Sequence, residues 1–163
     1  MDIFSHFLWT YAVFFRFKKY RLLTAIFGIL PDILSFGPFF IYGLITRNFT
    51  SGKPELSSIP DYVFTAYNFT HSLVIFLIIV GILYYITRQI PIYTGGWLLH
   101  ILIDIPSHSR EFFPTPFLYP ISSFNVNGIS WGNPKFLIVN YSLLLIVYLY
   151  LGYTTFVKNK RKK

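Results

Sequence analysis

The chain has 163 residues, of which 54% are hydrophobic, 21% aromatic and only 12% charged. That is too apolar for an ordinary soluble domain and points to one integral-membrane domain spanning 1–163. The absence of cysteine excludes a disulfide framework and a thiolate metal site. The net charge of +8 gathers in "RFKKYR" at 16–21 and in the basic tail "KNKRKK" at 158–163. These are flanks of membrane segments, suited to anionic lipid headgroups, and they argue against a nucleic-acid partner.

In chain order, "IFSHFLWTYAVFF" reads as a short retained helix: it lacks a basic n-region and a small-residue cleavage site. Leu22 to Thr46 is long enough to span a membrane, but Pro31 and Pro38 each remove a backbone donor, so a broken or kinked helix is expected. A polar loop, roughly 47–68, follows. Phe69 to Thr87 is a clear apolar span, with Thr70 as the expected cap of a helix that His71 begins. Trp97 to Ile105, begun near Ile92, is short for a crossing that needs ~20 residues, and reads as a half-buried helix leaning on its neighbours. A second polar loop, roughly 106–135, leads to the uncharged span Leu137 to Val157. The predicted fold is therefore all-α, a polytopic membrane bundle of about four to five helices, with broken or short helices around a His/Asp site.

Placing the basic runs in the cytoplasm puts Arg16, Lys18, Lys19, Arg21, Arg88 and the tail on one side, and Arg47, Lys53, Arg110 and Lys135 on the other. The ten-to-four bias predicts a plasma (inner) membrane protein with a cytoplasmic C-terminus and both polar loops outside. The "NFT" sequons at 48 and 68 would then face outward, although such triplets often arise by chance.

All four histidines, His6, His71, His100 and His108, and the acids Asp32 and Asp104 lie within or beside apolar segments. Solubility does not require them there, and the topology gathers them towards the outer leaflet. His100 and Asp104 in "HILID" are four apart, one turn apart on one helix face, where they can share a ligand. Imidazole with carboxylate suits zinc, and also manganese or iron. A His–Asp hydrogen bond locking two helices competes with that reading, but it loses ground in a membrane, where an ionisable group is costly. In "LPD", Pro31 leaves a carbonyl one turn back unpaired, and a cation would satisfy it together with Asp32; an N-cap role for Asp32 is the alternative. His71 taken singly fits an interfacial polar residue as well as a ligand, and His6 and His108 taken singly fit an interfacial polar residue better. Their company favours ligation.

These residues resemble a known family: small membrane-bound proteins classed as predicted metal-dependent hydrolases, similar in motif to the zinc-dependent phospholipase C type. The resemblance rests on His6 in the first helix, "GILPD" with Asp32, "THS" with His71, "HILID" with His100 and Asp104, and "FFPTPFLYPIS" after them, and covers most of residues 4–121. It implies that His6, Asp32, His71, His100 and Asp104 are metal ligands. The chain departs from the family pattern in having Ile33 and Leu34 where a second acid commonly follows, and Tyr67 and Asn68 where an Arg often precedes "THS".

A divalent ion in such a site lowers the pKa of a bound water towards ~7, which makes a hydrolytic nucleophile available at neutral pH. The candidate ligands exceed what one tetrahedral zinc needs, which leaves a general base or a second ion open. His108 and Arg110, in "SHSRE", are candidate catalytic residues that could hold a phosphate oxygen, with a snorkelling interfacial cation as the alternative for Arg110. The expected partners are membrane lipids, and the expected substrate is a phospholipid or lipid-linked phosphate ester. A metal or proton pathway protein using the same residues is the competing expectation. It would need a polar route to the cytoplasmic face, and the apolar runs "LLLIVYLYL" and "VIFLIIVGIL" favour a blind pocket.

Overall fold

A computed structural model describes residues 1–47 and 54–160; the sequon at Asn48, Lys53 and the last three residues of the basic tail lie outside them. The described residues form seven α-helices and one 3-10 turn, with no strand. The helices are α1 (Ile3–Val13), α2 (Arg21–Phe27), α3 (Leu30–Ile45), α4 (Asp61–Thr70), α5 (Leu73–Thr87), α6 (Thr94–Ser107) and α7 (Pro134–Lys160), with the 3-10 turn over Leu56–Ser58 before α4. The all-α expectation holds.

Helix α1 starts where Asp2 caps it, accepting from the Ser5 N–H at 2.9 Å and the Ser5 hydroxyl at 2.6 Å. Its 11 residues are too short to cross a bilayer. The span expected over Leu22 to Thr46 is broken, with α2 and α3 meeting at 53°. The break falls at Gly28 and Ile29 rather than at either proline. Pro31 lies in the first turn of α3, where its missing N–H has no partner to lose, and Pro38 is carried inside α3 without ending it. Gly28 marks the break because its backbone lies against α1: a Cβ there would stand 2.4 Å from the Thr10 hydroxyl oxygen.

The Phe69 to Thr87 span is corrected. Helix α4 ends at Thr70, His71 is its C-cap, and α5 starts at Leu73, bent 59° from α4. Ser72, not Thr70, caps α5, accepting from the Val74 and Ile75 N–H groups at 3.1 and 3.2 Å. The end of the polar loop before it is also helical, since "DYVFTAYNFT" buries Val63 and Tyr67 one turn apart. Arg88 closes α5 in the left-handed conformation, φ 57°.

Helices α1 and α2 pack together, α2 on α6, α3 on α4, and α7 on α1. One apolar cluster joins Ile59, Val63, Tyr67 and Phe113; another joins Phe76, Val80 and Ile101. Much of the remaining interior is polar: His6, His71, His100, Asp104, Thr10 and Thr24 are fully buried, while Ile45, Tyr85 and Ile86 are each more than 70% exposed. Soluble proteins distribute these residue types the other way round. Among the described residues α7 alone is long and apolar enough to cross a membrane, and there are up to three such spans if α2–α3 and α4–α5 each count as one.

Candidate metal centre

Helix α6 contributes His100 and Asp104 from one face, as their spacing requires, and the hinge between α4 and α5 contributes His71. The first turn of α3 contributes Asp32. One ligand atom from each of Asp32, His71, His100 and Asp104 can be chosen so that all four lie within 4.8 Å of one another.

The hydrogen bonds outside this quartet fix what its nitrogens can do. His100 Nδ1 lies 2.7 Å from the Gly28 carbonyl, and His71 Nδ1 lies 3.1 Å from the Tyr67 carbonyl. A carbonyl only accepts, so each Nδ1 carries a proton, and in the neutral imidazole each Nε2 is then an acceptor. The two Nε2 atoms face each other at 2.9 Å. Asp104 Oδ2 stands 3.3 Å from His100 Nε2 and 3.5 Å from His71 Nε2, and Asp32 Oδ1 lies 3.8 and 3.5 Å from the same two atoms. With both imidazoles neutral, four acceptors converge here, and Asp104 Oδ2 is buried without a hydrogen-bond partner. A divalent cation fits this donor set: two neutral imidazoles and two carboxylates, each imidazole oriented by a carbonyl on its far nitrogen. Asp32 is the one member with access to the outside, its side chain 18% exposed against none for the other three.

His6 and His108 stand outside the quartet, on the other oxygen of the same carboxylate. His6 Nε2 is 2.9 Å from Asp104 Oδ1, with its ring stacked on that of His100 at 3.8 Å between centroids. His108 Nε2 is 3.5 Å from Asp104 Oδ1 and 2.9 Å from the Met1 nitrogen, which also contacts Asp104 Oδ1. Arg110 is held elsewhere: it is exposed, its Nε donates to Asn125 Oδ1 and its Nη2 to the Asn125 carbonyl, both at 3.1 Å, and its backbone N–H donates to Asn127 Oδ1 at 2.9 Å.

Three supports were not singled out from the sequence. Tyr67, one turn before His71, stacks on its ring at 3.8 Å and donates its hydroxyl to the Phe113 carbonyl at 2.9 Å. The same carbonyl receives His108 Nδ1–H at 2.7 Å, and Phe113 aims it from a left-handed conformation, φ 48°. Gly96 allows α6 to lie against α2, for a Cβ there would come within 2.0 Å of the Thr24 carbonyl oxygen. The motif spacing "YNFTH" carries the Tyr67 signal once 61–70 is read as helix; nothing local marks Gly96.

Compared with protein-family models, curated proteins and solved structures, the chain matches none.

Proposed function

We propose that this chain is a polytopic membrane protein holding a divalent ion, zinc in first place and manganese or iron by the same donors, and that it hydrolyses phosphate esters of phospholipids or lipid-linked carriers. The observation that carries the reading is the meeting of four potential ligand atoms, with His71 Nε2 and His100 Nε2 facing each other at 2.9 Å and Asp32 Oδ1 and Asp104 Oδ2 within 3.8 Å of them. An ion bound there supplies Lewis acidity and acidifies a water to ~7. Asp32, on the exposed side, faces the direction from which substrate arrives. His6 and His108, on Asp104 Oδ1, are placed to hold or move a proton through that carboxylate.

In the bilayer, the bent pairs α2–α3 and α4–α5 and the long α7 form three crossings, and the short α6 carries the chain back from Arg88 to the outer loop, with α1 packed beside them. The charge bias places the C-terminus in the cytoplasm and the cluster towards the outer leaflet of the plasma (inner) membrane. Arg110 serves the outer loop 106–135 in this reading, through Asn125 and Asn127.

Metal analysis of the detergent-purified protein, paired with a lipid phosphoesterase assay, tests it on Asp32→Asn. Joint loss of metal and hydrolysis is the expected result. Unaltered metal with loss of a proton-coupled flux in proteoliposomes would favour a pathway protein instead.

A further inference from the structure

At the end of the molecule that carries the basic runs, the end of α1 lies beside the last turns of α7, and a groove of about 500 Å³ runs between them. Tyr11 and Phe15 form one wall, and Leu151, Gly152 and Phe156 form the other. At one end stands Tyr148, its ring stacked on that of Tyr11 at 6.5 Å between centroids and its hydroxyl donating to the Leu8 carbonyl at 3.0 Å. Gly152 leaves a notch in the α7 wall, since a Cβ there would meet no atom within 4 Å.

Two cations border this apolar trough. The Arg21 guanidinium lies 5.0 Å from the centre of the Tyr11 ring and 4.9 Å from that of Phe15, and Lys160 Nζ lies 4.8 Å from the centre of the Phe156 ring. All three rings line the groove. Stacking engages the face of the guanidinium and leaves its N–H edge for bidentate contact with a phosphate. Among the described residues neither charged group meets a carboxylate or a hydrogen-bond acceptor. The acids of the chain are Asp2, Asp32, Glu55, Asp61, Asp104 and Glu111, so neither 11–21 nor 148–160 contains one. Arg16, Lys18, Lys19 and Lys158 stand exposed in the same two segments. Against all these cations the C-terminal dipole of α7 sets only about half a negative charge. An uncharged lipid would leave Arg21 and Lys160 unpaired, and a free anion would leave the trough unfilled. An amphiphile with an anionic head satisfies both.

We propose that this groove holds one anionic phospholipid, with its phosphate at the Arg21 and Lys160 rim and the start of an acyl chain along Gly152 and Leu151. The inference rests on the membrane part of the proposed function and on neither the metal nor the hydrolysis, because the groove lies at the opposite end of α1 from Asp2 and His6. In the proposed orientation its source is the cytoplasmic leaflet, whose anionic lipids attract basic segments beside a membrane helix. The bound lipid is thus a fastening between α1 and α7, separate from any substrate.

The full chain in phosphatidylcholine nanodiscs with a minor share of phosphatidylglycerol tests this by photolabelling and peptide mapping. A diazirine at the glycerol end of one acyl chain is carried by phosphatidylglycerol in one arm and by phosphatidylcholine in the other. Tyr11 and Phe156 should be labelled at least about fivefold more by the phosphatidylglycerol probe. Tyr85 is the internal control: its ring carries Arg88 at 5.4 Å but is 73% exposed, so it reports general attraction of headgroups and should show a smaller preference. Arg21→Gln and Lys160→Gln should each lower the preference at Phe156 by about fivefold, the usual worth of one basic residue at an anionic surface. Gly152→Leu should lower labelling by filling the notch, and a detergent melt unchanged by the three variants reports an intact fold. Equal preference at the groove and at Tyr85, or a preference indifferent to all three variants, overturns the proposal. So does a groove that neither probe reaches while Tyr85 is labelled, the result of a second copy seated there. Absence of label from the whole of α7 would reject the membrane reading itself, and this site with it.

Discussion

Asp104 divides its two oxygens between two sets of partners, and this division makes the cluster testable residue by residue. Oδ2 faces His71 and His100, whereas Oδ1 faces His6 and His108. Asp104→Ala should cost metal affinity more than the ~10–100-fold typical of removing a supporting hydrogen bond. His6→Ala should leave the ion of the quartet in place and impair turnover instead. Metal content after dialysis against a weak chelator separates the two, and equal losses would make His6 a ligand of that ion. Tyr67→Phe removes one neutral hydrogen bond, to the Phe113 carbonyl, while His108 Nδ1 still occupies that acceptor. It should cost about 1 kcal/mol of stability, read from a detergent melt, with metal content unchanged. The candidate ligand types were legible in the sequence because ionisable groups in apolar runs stand out. Their grouping was legible only in part: the spacing of His100 and Asp104 fixes a shared face, but nothing in the sequence assigns His6 and His71 to opposite oxygens of one carboxylate.

At the level of helices, the centre is held by close backbone approaches. His100 is oriented by the carbonyl of Gly28, and Gly28 in turn is pressed against Thr10, while Gly96 brings α6 onto α2. Gly96→Ala forces a Cβ into the Thr24 carbonyl, a backbone atom that cannot rotate away. The helices must separate, at a cost of about 1–3 kcal/mol, and the His100 bond to Gly28 lengthens with them. Lower thermal stability together with weaker metal binding is the expected outcome; a loss of stability with metal affinity preserved would show that α2 does not orient His100. The break between α2 and α3 was foreseeable in existence and misplaced in position, and the one between α4 and α5 was not foreseen. Pro31 and Pro38 drew attention as breakers, yet a proline in a first turn is compatible with a helix, and the glycine before it yields to tertiary packing instead. Thr70 is the cap expected in "THS", yet Ser72 takes that place because its hydroxyl meets two free N–H groups while also contacting the Tyr119 carbonyl.

For the whole molecule, the reversal of ordinary burial, polar residues inside and large aliphatics outside, fits the proposed surroundings of lipid. The sequence anticipated this through composition alone, since periodicity carries little information where a helix is apolar on every side. Orientation rests on charge and can be measured directly. The chain has no cysteine, and Ser57, Ser123 and Asn159 are all exposed, so single cysteines at these positions report sidedness without interference. Positions 57 and 123 should react with an impermeant maleimide on intact cells, and 159 only after lysis. The opposite pattern would move the cluster to the cytoplasmic leaflet.

Helix α7 hydrogen-bonds to the rest through α1: Asn140 to Trp9 and Ser5, Tyr141 to Asp2, and Tyr148 to the Leu8 carbonyl. It supplies none of the quartet, and the loop before it is already fastened, with the Gly128, Ile129 and Trp131 N–H groups donating to the His108, Pro106 and Ser107 carbonyls at 2.9 Å. Synthesis runs from the N-terminus, so the ribosome releases every ligand before α7 enters the bilayer. In the proposed reading α1 to α6 can thus hold the ion by themselves, and α7 arrives afterwards as a helix fastened to α1. Chains ending at Gly132 and released from the ribosome should already retain metal after purification, and loss of the ion in them would give α7 a part in the centre.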